Sequence, residues 1–170
     1  MSAYVAKDSK GSYHYILVQE YAMSCGPACV AMAEASYHQH CMEDAESRAR
    51  FLSQLYPGNW TMEGGSYVTN FSFVLNSEGV KADPAVYVPG GVRTYVQNFA
   101  SPSTPMIVHV RWGGDIGHFI VASKVYPDNT VIFYDPSYGL VEMPGAQFPY
   151  YTPRLGVAGL FSGWVVVTHH

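Results

Sequence analysis

Charge is the scarcest commodity in this chain. Only 13% of its 170 residues are Asp, Glu, Lys or Arg, and the nine basic ones are scattered without a run. With a net charge of −4 and a pI near 5.9, nucleic acid and anionic membrane are excluded as expected partners, since both reward clustered Lys and Arg. Cysteine is also rare. Three residues cannot build a disulfide framework, so a reducing compartment or a thiol kept free for chemistry is the simpler account. Long apolar runs are missing as well: no stretch reaches the ~18–20 residues of a transmembrane helix, and residues 1–10 lack the apolar centre of a signal peptide. The chain is expected to be soluble and made in a cytoplasm, or to be part of a longer chain that is secreted or delivered into a target cell. No repeat, low-complexity tract or long linker interrupts it. With 48% hydrophobic residues it has enough apolar material for one core, and residues 1–170 are read as a single domain.

What is present divides into two halves. The first reads as helical. Ser24 suits an N-cap, Pro27 a first turn, and Ala28, Met32 and Ala35 follow at helical spacing. A second helix is expected from Glu43 to Tyr56, with Ala45, Phe51, Leu52 and Leu55 facing inward and Pro57-Gly58 ending it. A third is expected from Ser66, carrying Tyr67, Phe71, Val74 and Leu75, to a stop at Gly79. The second half changes period. Val80 to Val88, Met106 to Trp112, His118 to Val125, Thr130 to Tyr134 and Trp164 to Thr168 are short β-branched or aromatic runs set apart by Gly, Pro, Asp and Asn. A short helix between Val92 and Phe99 is expected among them, and Pro127-Asp128-Asn129 reads as a hairpin turn. Helices first and strands later imply an α+β fold, with an antiparallel sheet and a cleft where the halves meet.

Four side chains carry the candidate chemistry. Cys25 stands at a helix start, where unpaired N–H groups and the helix dipole favour a thiolate. Gly26 beside it permits close approach of a substrate. His118 follows Trp112-Gly-Gly-Asp-Ile-Gly117 and leads into an apolar strand, which puts an imidazole at a strand's start. His109 lies mid-strand and is read as solvent-facing or as a buried acceptor. His14, His38 and His40 are weaker candidates, and His169 and His170 receive no role. Asp135 closes the next strand, and an antiparallel return near Asp128 would bring it beside His118 to fix the imidazole tautomer. Standing alone, an Asp before Pro136 reads equally as the cap of a turn. Gln19, six residues before Cys25, could join the Cys25 backbone N–H in binding an oxyanion.

In that order these pieces resemble the papain-like cysteine peptidases, and within them the C39-like branch. That branch holds the peptidase domains of bacteriocin-exporting transporters and stand-alone bacterial effector proteases. The matching segments are Gln19-x5-Cys25-Gly26-x-Ala28, Pro105 to Val110 leading to Gly117-His118-Phe119, Val131 to Asp135-Pro136-x-x-Gly139, and Phe161 to Val167. They cover nearly the whole chain, about residues 15 to 168. The resemblance implies a papain-like two-lobed fold, with an N-terminal helical lobe packed on a C-terminal β-sheet lobe and the active site between them. It also implies Cys25 as nucleophile, His118 as base then acid, Asp135 as orienter and Gln19 as oxyanion donor. With no transporter segment and no inhibitory pro-segment in the sequence, the expectation is an effector or toxin endopeptidase. Cleavage after a glycine-rich motif would follow by analogy. Its partners would be a protein or peptide substrate and a cognate immunity or inhibitor protein, with no cofactor and no metal.

Three other readings compete. Cys25, Cys29, His38, His40 and Cys41 offer soft metal ligands, but their spacing matches no common zinc pattern, and Cys29 and Cys41 are more simply core thiols. The same site acting on a different acceptor or a glutamine side chain would give acyl transfer or deamidation. A peptidase scaffold that only binds is the third, since fold does not fix function. The aromatics, Trp60 and Trp112 included, are assigned to packing.

Overall fold

The computed structural model describes residues 2–41, 44–113, 116–145 and 150–170. The chain opens with an antiparallel hairpin, β1 (Ser2–Lys7) and β2 (Tyr13–Val18). Helix α1 (Cys25–His38) follows, then α2 (Ala45–Ser53) and α3 (Val68–Ser77). Strand β3 (Lys81–Val86) and helix α4 (Pro89–Phe99) lead into β4 (Met106–Gly113), β5 (Ile116–Val125), β6 (Val131–Asp135) and β7 (Gly139–Met143). Strands β8 (Tyr150–Arg154) and β9 (Val157–His169) end the fold. The main sheet runs β3-β9-β4-β5-β6-β7, antiparallel throughout, with β8 paired to β9.

Both faces of this sheet are buried, which explains why its strands read as continuous apolar runs. Ile107, Phe119, Val121, Ile132 and Val166 point to one face, where Ala28, Met32, Phe71 and Leu75 of α1 and α3 cover them. Their neighbours Val108, Ile120, Ala122, Phe133 and Val165 point to the other, under Val92 and Val96 of α4 and under Tyr151 and Phe161. The period of two assigns each residue to its side. Helix α1 is enclosed almost all round, with Gly26, Ala28, Ala31, Ala33 and Ala35 all buried. Small side chains let this helix lie close to the sheet.

Several expectations need correction. The N-terminal hairpin was not anticipated, and neither were β7 and β8. Ser24 holds the N-cap position without capping through its side chain. The expected start of the second helix, Glu43, lies outside the described residues. The second helix ends at Ser53, short of Tyr56, and neither Phe51 within it nor Leu55 beyond it faces inward: they are 67% and 62% exposed. The buried residues of α2 are Glu46, Ala49 and Ser53, while Ala45 and Leu52 pack partly against the core as expected. The physical reason is polar. Glu46 holds the loop before α1, and the Ser53 hydroxyl donates to Asn70 Oδ1 at 2.7 Å, so the contact face is given to hydrogen bonding. Tyr67 is likewise exposed, as the N-cap residue of a helix that begins one residue later.

Candidate active site

Cys25 is the first residue of α1 and is half-buried. Its neighbour explains why it sits there. A Cβ on Gly26 would come within 2.4 Å of the Phe71 ring, so only glycine lets the helix mouth settle against α3. Phe71 in turn meets Phe119 edge-on, with centroids 4.7 Å apart. The Cys25 end of α1 is thereby clamped to the strand that carries the candidate base. The loop leading into the helix is fixed from below by the buried Glu46 carboxylate. It accepts from the Ser24 hydroxyl at 2.6 Å and from the Glu20 backbone N–H at 3.1 Å, and is paired with Arg50 at 2.7 Å.

His118 and Asp135 meet as the hairpin geometry requires. The turn at 126–130 returns β6 beside β5, with Val121 opposite Tyr134, and His118 Nε2 lies 2.8 Å from Asp135 Oδ1. Both residues are buried. Asp135 Oδ1 also accepts from the backbone N–H groups of Ser137 and Tyr138, at 2.8 and 3.1 Å. Its Oδ2 accepts from the Tyr151 hydroxyl at 2.5 Å. The turn cap and the histidine partner are therefore the same carboxylate doing two jobs at once. Tyr151 is fully buried, and burial together with the Asp135 charge pushes its phenol well above the ordinary value, so it remains a donor.

The electrostatics of His118 are unusual. Desolvation by burial pulls its imidazole down, but hydrogen bonds to Asp135 and to Cys25, and the charges of both, outweigh that and lift it from 6.5 to about 9. Trp112 lies against the ring, with centroids 5.6 Å apart, and also touches Tyr138 and Tyr151. The pair is roofed by aromatics that limit water.

Gln19 is tied to the same corner. Its backbone N–H donates to Pro136 O at 3.0 Å, and its Oε1 accepts from the Ser137 hydroxyl at 3.1 Å. Its amide Nε2 donates to the carbonyls of Tyr21 and Ala22, at 2.7 and 2.9 Å. The remaining candidates are dispersed. Cys29 is fully buried, its thiol pushed well up by desolvation. Cys41 is exposed beyond the C-terminal end of α1, a helix about 20 Å long that begins at Cys25. His14 is bonded to Asp8 and Tyr134, and His38 to the Glu78 carbonyl. His109 is half-buried in β4 and, with Cys25, lines a cleft of about 500 Å³. That placement, the second-line support from Tyr151 and Glu46, and the roof of Trp112 were not foreseen from the sequence. Among the described residues no helix is long and apolar enough to cross a membrane.

Residues 13–151 match the model of the peptidase C39 family. The chain belongs to that family. It is a cysteine peptidase of the C39, papain-like type, and its mixed helix and antiparallel sheet architecture agrees with its structural neighbours. The double glycine motif protease from an AMS/PCAT transporter, solved in complex with its leader peptide, is 20% identical, with a TM-score of 0.60 and 91% of each chain covered. The peptidase domain of Streptococcus mutans ComA is 17% identical, with a TM-score of 0.56, over 91% of this chain and 98% of that one. A search among curated proteins gives no match. At these identities the neighbours speak for the fold of the peptidase alone.

Proposed function

We propose that the peptidase cleaves a peptide bond in a protein or peptide substrate by acyl transfer through Cys25, with His118 as base and acid and Asp135 as orienter. Because Nε2 of His118 is bound to Asp135, Nδ1 is the nitrogen left for the thiol. A proton moved from Cys25 to Nδ1 leaves a thiolate and an imidazolium. The thiolate attacks the substrate carbonyl carbon, and the oxyanion takes the backbone N–H of Cys25, which as a first-turn donor has no intrahelical acceptor. Gln19 supplies the second donor once one of its two carbonyl partners is released. The imidazolium then protonates the leaving amine as the C–N bond breaks, giving a thioester. His118 deprotonates a water that attacks it, the C–S bond breaks, and the ion pair is restored.

The observation that carries this reading is the buried imidazole hydrogen-bonded to a buried carboxylate, with the Cys25 thiol among the groups that raise its proton affinity. A comparison of new protein termini between the parent and Cys25→Ala, in a lysate, tests it. Thiol-dependent new termini are expected, and the first motif to look for is the double glycine named for the transporter relative. An unchanged terminus profile, with a Cys25 that also resists iodoacetamide, defeats the reading. Deployment as an effector or toxin, with an inhibitor or immunity protein that covers the cleft, rests on the sequence resemblance alone. Equal toxicity of the parent and Cys25→Ala in target cells would remove it.

A further inference from the structure

We infer that Trp60, with Arg50, is a positioning residue for the oxyanion site, acting through residues 20–23 on the amide of Gln19. The inference rests on the peptidase reading and on Gln19 as a donor within it. That amide has no hydrogen to spare. Its Oε1 accepts from the Ser137 hydroxyl, and its Nε2 donates to the carbonyls of Tyr21 and Ala22. The opposite orientation would set Oε1 against two carbonyl oxygens, so these partners fix which end is which.

The two acceptors are not equivalent. Tyr21 O also takes the Ser24 backbone N–H at 3.1 Å and lies 3.0 Å from the Ser24 hydroxyl. Three donors crowd a carbonyl that has two lone pairs, so the Gln19 hydrogen can leave it without orphaning it. Ala22 O has Gln19 as its one partner among the described residues. The bond to Ala22 is therefore the pivot. With it kept, the amide turns its other hydrogen from Tyr21 O to the oxyanion.

Where that pivot stands depends on the neighbours of Ala22. Residues 20–23 are all exposed, and one cluster from α2 and the turn after it grips them. The Trp60 indole N–H donates to Met23 O at 2.9 Å. The Arg50 guanidinium lies 4.8 Å from the centre of the Tyr21 ring and 5.7 Å from that of Trp60. It also pairs with Glu20 at 2.9 Å and with Glu46 at 2.7 Å. Ala22 is thus held from both sides through Tyr21 and Met23. An indole N–H on a carbonyl and a flat guanidinium against two rings are directional contacts, suited to aiming a carbonyl rather than filling a gap. Trp60 is not among the residues that line the cleft beside Cys25, so its route to the reaction is this loop.

The test uses a synthetic peptide spanning the most abundant Cys25-dependent new terminus in a lysate. Trp60→Phe deletes the indole N–H and keeps a ring for Arg50. Arg50→Lys keeps a charge for Glu20 and Glu46 and loses the flat face. Each variant, shown to be folded by circular dichroism, should lower kcat by about tenfold with KM unchanged, part of the roughly hundredfold that a 1 Å misplacement costs. Should one not fold, the other carries the test. Labelling of Cys25 by iodoacetamide builds no oxyanion and should keep the parent rate. In a Gln19→Ala background neither substitution should lower kcat further. An effect of equal size with and without Gln19, a matching fall in the iodoacetamide rate, or a kcat that is unchanged or raised overturns the inference alone. If no Cys25-dependent terminus appears, the peptidase reading falls and this inference with it.

Discussion

The imidazole of His118 makes folding stability itself a function of alkaline pH. In the folded protein it titrates near 9, against 6.5 for an ordinary imidazole. The folded state therefore holds this proton more tightly than the unfolded chain. The stabilisation is complete below pH 6.5, declines at about 1.4 kcal/mol per pH unit between the two values, and is gone above about pH 9. A gap of about two and a half pH units comes to roughly 3 kcal/mol, a large part of the 5–15 kcal/mol that holds a typical domain together. Urea denaturation at half-unit steps from pH 6 to pH 10 reads it directly. Other groups contribute to the raw curve. Glu34, lifted to about 7 by burial and by Glu78, loses stability over a lower range as its buried carboxyl ionises. The difference between the parent and His118→Gln isolates the histidine. That difference should shrink by about 3 kcal/mol across the window, and Cys25→Ala should narrow the window, because the thiol supplies two of the contributions that raise His118. A difference that stays constant from pH 6.5 to 9 refutes the buried ion-pair argument.

Three further substitutions probe the supports. Tyr151→Phe removes the hydroxyl on Asp135 Oδ2 and should cost about 1.5–3 kcal/mol by urea denaturation, the worth of a hydrogen bond to a charged group; an unchanged midpoint would mean that the carboxylate does not need it. Glu46→Ala leaves the Glu20 N–H without its acceptor and takes one of two carboxylates from Arg50, which keeps Glu20, for a loss of about 1–3 kcal/mol. A smaller loss in the same assay would show that the loop before Cys25 is held by something else. Gly26→Ala drives a methyl into Phe71 and should cost about 1–3 kcal/mol, together with a changed iodoacetamide rate at Cys25, since the clash lies one residue from the thiol.

The sequence made Cys25, His118 and Asp135 legible for local reasons. Cys25 opens a helix, Asp135 closes a strand and His118 lies two residues inside one, so turn residues and a change of period mark each position, and one hairpin suffices to join the last two. Their supports are long-range and left no local trace. Tyr151 reaches Asp135 from another strand, and Glu46 reaches Ser24 across 22 residues. The rotation of α2 was missed for the same cause: its buried carboxylate claimed the inward face and left Phe51 and Leu55 outside. The hairpin β1–β2 escaped notice because Tyr4, Val5 and Tyr13 are exposed and give no clean inside-outside alternation.

The order of strands has a bearing on synthesis. Strand β9 is the last strand of this sheet to be synthesised, yet it lies inside the sheet, between β3 and β4. Everything that pairs early is local: the β1–β2 hairpin, then β4 with β5, β5 with β6 and β6 with β7. Strands β3 and β4 cannot be joined until residue 169 has emerged. The thiol is made first and the imidazole later, but the sheet on which α1 packs closes only with β9. A nascent chain thus carries Cys25, His118 and Asp135 for a few seconds before the sheet beside them is complete.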